Sequence, residues 1–335
     1  MPPSPSKNSK KSRLAGLLLA VIILALCLAA VFYRQSIYDW WQLRGYQAPS
    51  DISQLADQDT MTPYARHLFY LNKPQLISSV TSFRKDCPEN EDAIVLGCYH
   101  PGEEGIYLYD VKTPDLYGVA QVTAAHEDLH AIYERLSGKE RQHVDTLLEN
   151  YYAHGLTDQR VKDEISLYKK TEPHSVVNEM HSTFGTEVAN LPPALESYYK
   201  QYFSDRAAIV AFSNRYEQAF TKRQAEVSQD DKQLASMNRQ IDEGQASLQT
   251  ELKQLNDTQA RLKALLAAGK TTEYDTGVPA YNAQVQSYNV SVTELRAFTG
   301  SYNALVRSRN AIAQQLTDLD KALDTRMTPK AQTAN

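Results

Sequence analysis

A run of twenty residues without a charged side chain, residues 14 to 33, limits what the N-terminal part of this chain can become. A helix of that length rises about 30 Å, which matches the hydrocarbon core of a bilayer. The apolar region of a cleaved signal peptide is shorter, about 7 to 15 residues, and ends at a small-residue cleavage site. No clean A-x-A site follows this run. The run therefore predicts an uncleaved transmembrane signal-anchor.

The residues on either side of the run predict its orientation. A short basic tail, residues 1 to 13, precedes it, and Tyr38, Trp40 and Trp41 follow it. Basic residues favour the cytoplasmic side, and tyrosine and tryptophan favour the membrane-water interface. We therefore expect a single-pass membrane protein whose N terminus is cytoplasmic and whose remaining chain is extracytoplasmic.

The cysteines agree with an exported domain. Apart from Cys27 in the apolar run, the chain contains Cys87 and Cys98 only. An even pair of nearby cysteines in an exported domain favours one disulfide, with two buried free thiols as the alternative. The net charge of -5 gives no basic footprint, so nucleic acid is not an expected partner.

Beyond the anchor, the chain changes character twice. Residues 34 to 62 are polar and lack a strong period, which predicts a juxtamembrane connector. Residues 63 to 204 are rich in aromatic residues and form the predicted globular domain. Within it, residues 105 to 111 alternate apolar and aromatic residues after a Pro-Gly turn and predict a strand. Residues 117 to 137 fit a helix that is closed by Gly138.

The last third of the chain carries a heptad pattern, which predicts a coiled-coil seam. Its apolar positions are Val227, Leu234, Ile241, Leu248, Leu255 and Leu262. Residues 268 to 279 contain two glycines and a proline and predict a loop, after which residues 281 to 306 resume the pattern. We therefore expect residues 205 to 326 to form an antiparallel helical hairpin, with parallel dimerisation of each arm as the alternative. Residues 327 to 335 are predicted to be a disordered tail.

The stretch VTAAHEDLHAIYERL, residues 122 to 136, carries His126-Glu127-x-x-His130 on the predicted helix. Positions i and i+4 share one face of a helix, so both imidazoles can reach one metal ion. Glu127 would project into the same cleft, where its carboxylate can take a proton from a water that zinc makes acidic. The alternative interpretation is two helix histidines without a metal.

A second cluster, SVVNEMHSTFGTEVANLPP at residues 175 to 193, supplies a third candidate ligand. With its Asn178-Glu179, Ser182 and Phe-Gly, it resembles the third-ligand helix of the gluzincins, the thermolysin-like group of zinc peptidases. The resemblance implies a Zn²⁺ ion held by His126, His130 and Glu179, with Glu127 as the catalytic base. It covers these two short motifs.

Two positions depart from that pattern, and other residues compete for the same roles. Asp128 stands where zincins have an uncharged residue. Thr183 stands where gluzincins have the aspartate that supports the first histidine, and Glu187 or a residue elsewhere is the candidate replacement. The rival third ligands are His181, Glu187 and His174. The candidate oxyanion donors, with core packing as the alternative, are Tyr198 and Tyr199.

The expected fold class is mainly α, of the α+β type: a small zincin-like domain with a short sheet and an active-site helix, then a long antiparallel coiled-coil helical hairpin. The expected function is a membrane-anchored extracytoplasmic zinc metallopeptidase that hydrolyses a peptide or protein. An extended substrate would add to the edge of the strand at residues 105 to 111.

Two alternative functions stay open at this point. The chain is an anchored coiled-coil scaffold or tether if its metal module is degenerate or purely structural. In that case, the hairpin would bind a protein partner or a second copy. A zinc enzyme that acts on cell-wall peptide or another amide would use the same residues.

Overall fold

The computed structural model of this 335-residue chain describes residues 8 to 88, 94 to 102 and 105 to 326. It divides into two units. Of the described residues, the compact unit comprises those from 8 to 110, 118 to 213 and 325 to 326, and the hairpin unit comprises residues 111 to 117 and 214 to 324. The predicted disordered tail and the first seven residues of the basic tail lie outside the described residues.

The compact unit begins with an apolar helix. Helix α1 (Asn8–Phe32) contains the window Ala15–Phe32, whose mean hydropathy is 3.0 and of which none is buried. It is the one helix among the described residues that is long and apolar enough to cross a membrane. Helix α2 (Arg34–Leu43) follows directly.

Two further helices occupy the region between residues 50 and 71. Helix α3 (Ser50–Gln58) buries Ile52, Leu55 and Ala56, and packs against the helix that carries the histidines. Helix α4 (Pro63–Leu71) begins at a threonine N-cap. The predicted connector, residues 34 to 62, therefore contains two helices, α2 and α3, which its sequence pattern did not indicate. In α3 the reason is clear. Three apolar residues form too short a stripe to show a period, and their packing partner lies far along the sequence.

A three-stranded sheet lies in the same unit. Its strands are β1 (Gln75–Ile77), β2 (Gly97–Tyr99) and β3 (Ile106–Tyr109), and helix α5 (Val80–Asp86) connects the first two. The strand order is β1-β3-β2, with β3 parallel to β1 and antiparallel to β2. The predicted strand is therefore confirmed, but it is central. Because both of its edges are paired, the expected addition of a substrate to this strand is wrong.

The predicted disulfide is confirmed. Cys87, at the end of α5, is bonded to Cys98 in β2. The pair is buried beside Phe83. The disulfide thus ties the edge strand β2 to α5.

Five helices complete this part of the unit: α6 (Val119–Arg135), α7 (Gly138–His154), α8 (Gln159–Thr171), α9 (Val176–Glu187) and α10 (Pro193–Tyr199). The predicted helix at residues 117 to 137 is confirmed as α6. Gly138 does not close it, however, because Gly138 is the first residue of α7. Ser137 is the N-cap of α7 and forms a capping box with Glu140, a signal that the glycine obscured.

Helices α6 and α9 lie side by side because α9 has no side chain at one position. A Cβ atom on Gly185 would come within 2.5 Å of Leu129 and 2.8 Å of Tyr199, so a larger residue would force the helices apart. The C-terminal end of α9 is held by Arg206, which is buried and donates hydrogen bonds to the carbonyl groups of Val188 and Ala189. Arg206 also forms an ion pair with Glu196.

Two long helices, α11 (Arg206–Ala267) and α12 (Thr271–Leu323), pack together as a hairpin; the first residues of α11 still belong to the compact unit. The heptad residues of α11 are all buried or half-buried. The pairing is antiparallel, since Asp231 early in α11 contacts Arg309 late in α12, whereas Gln259 contacts Tyr281. At 1.5 Å per residue, α11 is about 90 Å long.

The turn of the hairpin is shorter than predicted. It comprises residues 268 to 270, and α12 already contains Gly277 and Pro279. The predicted loop at residues 268 to 279 is therefore wrong. A Cβ atom on Gly277 would lie 2.7 Å from the Leu262 side chain. This glycine therefore belongs to the seam, where it permits close contact between the two helices.

Candidate metal centre

Three residues that the sequence proposes as metal ligands meet in the compact unit. His126 and His130 lie one turn apart on α6, and Glu179 projects from the first turn of α9. The Nε2 atom of His126 is 3.6 Å from Glu179 Oε2, and the Nε2 atom of His130 is 3.6 Å from Glu179 Oε1. The structure therefore brings together the two predicted histidines and the predicted carboxylate.

The geometry of this group fits a metal ion. One ligand atom from each residue lies within 4.8 Å of the other two. A tetrahedral ion with bonds of about 2.1 Å holds its ligand atoms about 3.4 Å apart, close to the 3.6 Å separations that involve Glu179. Glu179 Oε2 is also buried and has no hydrogen-bond partner among the described residues, since His126 Nε2 at 3.6 Å is too far away for a hydrogen bond. The three residues can therefore hold a metal ion.

The charges of the group also suit a cation. Burial opposes charge on His126, but its interaction with Glu179 and the charge of Glu127 raise the pKa of His126 to about 9. Burial lowers the pKa of His130 to about 4, against the attraction of Glu179. Burial also opposes charge on Glu179, but the two histidines lower the pKa of this carboxyl. A proton on His126 thus balances Glu179, and a bound cation would replace that proton.

A second layer of charge surrounds His126. Glu187 helps to raise the pKa of His126 through its charge and is held by Arg160 at 2.6 Å. Burial and the nearby Glu187 raise the pKa of Glu164 to about 7. Thr183 is fully buried, and no described residue forms a hydrogen bond with its hydroxyl. Glu187, the candidate replacement for the gluzincin aspartate, thus lies close enough to His126 to favour its charged form.

Glu127 is held against the edge strand of the sheet. It is 6% exposed and lies beside Gly97 of β2. A Cβ atom on Gly97 would lie 2.9 Å from Glu127 Oε1 and 2.4 Å from the Thr123 side chain. Only glycine permits this approach of β2 to α6. Sequence reasoning missed Gly97, although a glycine inside a strand signals a close contact of this kind.

A cleft of about 370 Å³ opens over the group, lined by residues of β2, α6, α8 and α9. Tyr168 of α8 lines it, and a hydrogen bond from Tyr168 helps to lower the pKa of Glu179. Burial and the neighbouring Glu179 raise the pKa of Tyr168, so its phenol stays protonated and remains a donor. Sequence reasoning missed Tyr168, because it stands in the polar stretch ISLYKK, which matches neither motif.

The rival ligands and donors lie elsewhere. His181 is buried, and its Nε2 atom is 2.8 Å from the Tyr198 hydroxyl. Tyr199 donates a hydrogen bond to the His181 carbonyl and is fully buried. None of His181, Glu187 and His174 belongs to the ligand group. Tyr198 and Tyr199 do not line the described part of the cleft, so their position favours the core-packing alternative over the oxyanion role.

Asp128, the departure from the zincin pattern, points away from the cleft. It is fully buried, and burial raises its pKa well above the usual range. Asp59 is also fully buried, and burial together with the charge of Asp128 raises the pKa of Asp59. Neither carboxyl has a hydrogen-bond partner among the described residues. The two acids therefore form a buried pair behind α6.

No protein-family model, curated protein or solved structure matches this chain. The main clue to its function is therefore the convergence of α6 and α9 at one cleft.

Proposed function

We propose that this chain is a membrane-anchored zinc metallopeptidase of the gluzincin type, with its peptidase site outside the cytoplasm. The observation that carries the proposal is that His126, His130 and Glu179 converge from two helices while Glu127 faces the same cleft. Two imidazoles and one carboxylate are the ligand set of a catalytic zinc that keeps one position open. This pairing of ligands with a neighbouring base supports hydrolysis over a purely structural metal.

Each residue has a defined task in this proposal. Bound zinc would make a water acidic and polarise the scissile carbonyl. Glu127 would take the proton of that water and pass it to the leaving amine. The position of Glu127 against Gly97 limits its movement and keeps its carboxylate at the cleft.

Tyr168 is our candidate for the oxyanion donor. It is the tyrosine of α8 that lines the cleft, and its protonated phenol lies beside Glu179. A fixed donor at the site where negative charge develops stabilises the transition state of acyl transfer. Tyr168 takes the role that the sequence suggested for Tyr198 or Tyr199.

Strand β2 is the candidate peptide-binding edge. His100 donates its backbone N–H to the Gly105 carbonyl, and Leu96 accepts a bond from Tyr109, so these residues face β3. Backbone groups alternate in an antiparallel strand, so Gly97 and Tyr99 direct theirs to the other side. Both residues line the cleft. An extended substrate would pair with this edge of β2.

The N-terminal helix and the disulfide support the proposed location. Helix α1 is apolar enough to span a bilayer, and the Cys87–Cys98 bond suits an oxidising compartment. The basic residues before α1 favour a cytoplasmic N terminus. The hairpin would then serve as a spacer, as a partner-binding arm or as a surface for self-association outside the cytoplasm.

The first experiment is elemental analysis of the full chain purified in detergent. We expect one zinc per chain in the wild type, and its loss or marked weakening in His126→Ala and Glu179→Ala. His154→Ala is the matched control, because His154 is exposed and outside the group. A folded wild-type chain that binds no zinc at physiological free zinc would refute the proposal.

Glu127→Gln separates the enzyme from the scaffold alternative. If Glu127 is the base, this variant should keep its zinc and lose about 10²- to 10⁴-fold in turnover of a peptide mixture followed by mass spectrometry. If the chain is an anchored scaffold with a structural metal, neither the wild type nor the variant will cleave peptides, and the two will have equal metal content.

A further inference from the structure

Helix α2 begins where the apolar window of α1 ends. The window stops at Phe32, and Arg34 is the first residue of α2. Arg34, Tyr38 and Gln42 are spaced four residues apart, so they lie one above the other on one face of α2. With α1 in a bilayer, as the proposed function requires, this polar face lies close to the lipid headgroups.

A second face of α2 is apolar and exposed. It carries Ile37, Trp40 and Trp41, and 63% of Trp40 and 64% of Trp41 are exposed. None of the ten residues of α2 is buried. Tryptophan prefers the membrane-water interface, where its ring meets the apolar layer and its N–H meets water. Because α1 would hold α2 at the membrane surface, lipid would cover this face.

A cavity of about 610 Å³ opens beside the polar face of α2. Arg34, Tyr38 and Gln42 line it from α2, Tyr99 lines it from β2, and Arg135 lines it from the last turn of α6. Of the described residues that line it, two are arginines and none is aspartate or glutamate. Such a lining favours an anionic ligand.

Arg34 supplies the free positive charge of this cavity. It is exposed, and no described residue forms an ion pair or a hydrogen bond with it. A guanidinium group carries five N–H donors in a planar fork that suits phosphate oxygens. Contacts within the described fold therefore do not explain an arginine at this position.

Arg135 supplies donors that are fixed in place. Its Nη2 atom pairs with Asp39 at 2.5 Å, and Gln35, in the orientation that satisfies its amide group, accepts hydrogen bonds from Nε and Nη2 at 3.0 Å. No described residue accepts a hydrogen bond from the Nη1 atom. Asp39 balances the charge of Arg135, so the net positive charge comes from Arg34, and Arg135 adds oriented N–H groups.

Tyr38 adds a third donor. The Gln42 amide donates a hydrogen bond to the Tyr38 hydroxyl oxygen at 2.7 Å, which leaves the O–H of Tyr38 able to donate to a ligand. A ligand with several acceptor oxygens and a negative charge can therefore bind Arg34, Tyr38 and Arg135 together. A phosphate group has these properties.

We propose that this cavity binds a phosphate group, and that the phosphate belongs to the headgroup of an anionic phospholipid in the adjacent leaflet. The exposed apolar face of α2 favours a lipid over free phosphate, because the acyl chains would lie beside the tryptophans while the phosphate lies at Arg34. Lipid binding of this kind rests on the membrane anchor of the proposed function and is independent of its metal centre.

The tryptophans make lipid binding at α2 measurable. Trp40 and Trp41 are the two tryptophans of the chain, so all of its tryptophan fluorescence comes from α2. The full chain is reconstituted in phosphatidylcholine vesicles that contain increasing amounts of phosphatidylglycerol or phosphatidylcholine with brominated acyl chains, which quench tryptophan at contact. We expect brominated phosphatidylglycerol to reach the same quenching at about a fivefold lower mole fraction than brominated phosphatidylcholine.

Two variants test whether this preference comes from the cavity. Arg34→Gln should bring the quenching by the two lipids close to equal. Arg44→Gln is the matched control, because Arg44 is exposed at the C-cap of α2 and does not line the cavity. It removes the same charge near the same membrane surface and should keep the preference. Since the Arg44 guanidinium lies 5.4 Å from the centre of the Trp40 ring, the ratio between the two lipids is compared and not the intensity.

The remaining outcomes separate the sources of phosphate and the levels of the proposal. Equal losses of preference in the two variants would show diffuse attraction to the bilayer and overturn the site. If millimolar inorganic phosphate restores the fluorescence and chloride of equal ionic strength does not, the ligand is free phosphate and the lipid assignment is wrong. Equal quenching by both lipids in the wild type would overturn lipid selection and leave the peptidase proposal intact. A chain that does not enter vesicles would overturn the anchor together with the lipid site.

Discussion

The compact unit buries charged and polar side chains, whereas the described residues that the hairpin unit buries are all apolar. Asp59, Asp128, Glu179 and Arg206 are inside the compact unit. The buried side chains among the described residues of the hairpin unit are Leu116, Met237, Ile241, Leu255, Leu262 and Leu319. Every described side chain with a buried polar atom and no hydrogen-bond partner also belongs to the compact unit.

This difference shows which buried residues cannot be explained by selection for stability alone. A two-helix seam needs an apolar heptad and little else, and the hairpin has that. Burying a carboxyl costs free energy even when it has an ionic partner, so carboxyls such as Glu179 require a reason beyond folding. The exceptions cluster around α6 and α9, which are the helices that form the candidate metal centre.

Replacing one arginine in each unit is the strongest test of this comparison. Arg206→Met removes the donors that satisfy the carbonyls at the end of α9 and leaves Glu196 without its partner. We expect a loss of about 3 kcal/mol or more in stability. Arg309→Met is the matched variant in the hairpin, where the ion pair with Asp231 is exposed. It should have no measurable effect on stability.

Hydrogen-deuterium exchange of the full chain in detergent measures the protection of backbone amides in each unit separately. Amides of residues 176 to 189 should exchange on the order of 10²-fold faster in Arg206→Met, while residues 281 to 306 stay protected in both variants. Equal effects of the two substitutions, each in its own unit, would show that buried and exposed charges are equivalent here. The comparison would then fail.

The sequence predicts the parts of each unit that depend on local pattern. The heptad residues identify both hairpin helices, and the i, i+4 spacing places His126 and His130 on one face of α6. The ligand role of Glu179 comes from the gluzincin resemblance, and the structure places Glu179 beside both histidines. The hairpin helices and the shared face of the two histidines could be predicted because each of these signals lies within one continuous stretch of chain.

Features that depend on contacts distant in sequence were missed. Helix α3 has three buried apolar residues, and only its packing against α6 explains why they are apolar. Gly97 and Tyr168 reach the cleft from β2 and α8, and neither stretch has a motif. Gly277 and Pro279 resemble loop residues because the sequence does not show that a helix packs against Gly277 at close range. Tertiary contact overrides local preference in each case.

Asp59→Asn tests the buried acids by their pH dependence. Burial and Asp128 raise the pKa of Asp59 in the folded chain. The folded chain then holds this proton more tightly than the unfolded chain, so its contribution to stability is present below about pH 4 and is lost as pH rises through the raised pKa. Asparagine cannot ionise. The variant should therefore be more stable than wild type at pH 7, by about 1 kcal/mol.

Thermal unfolding of the full chain at pH 7 and pH 4 measures this effect. The melting temperature of Asp59→Asn should exceed that of wild type by about 2–4 °C at pH 7, and the difference should shrink at pH 4. Asp57→Asn is the control, because Asp57 is exposed and pairs with Arg66 at 2.6 Å. A less stable Asp59→Asn at pH 7 would mean that the ionised carboxylate is satisfied, and the contrast between the units would weaken.

Replacing two hairpin glycines with alanine should give the smallest effect. These substitutions test how far the hairpin unit depends on close packing. A Cβ atom on Gly300 would meet nothing within 4 Å, whereas one on Gly244 would lie 2.8 Å from a methyl group of Leu295. Alanine favours a helix interior over glycine by about 0.5–1 kcal/mol, so Gly300→Ala should stabilise the hairpin. In Gly244→Ala, the displaced Leu295 should cancel most of that gain. Circular dichroism at 222 nm during thermal unfolding measures both variants. Equal gains in stability would mean that the seam accommodates a methyl group at Gly244. The stability of the hairpin would then depend on its apolar pattern and not on close packing at this point.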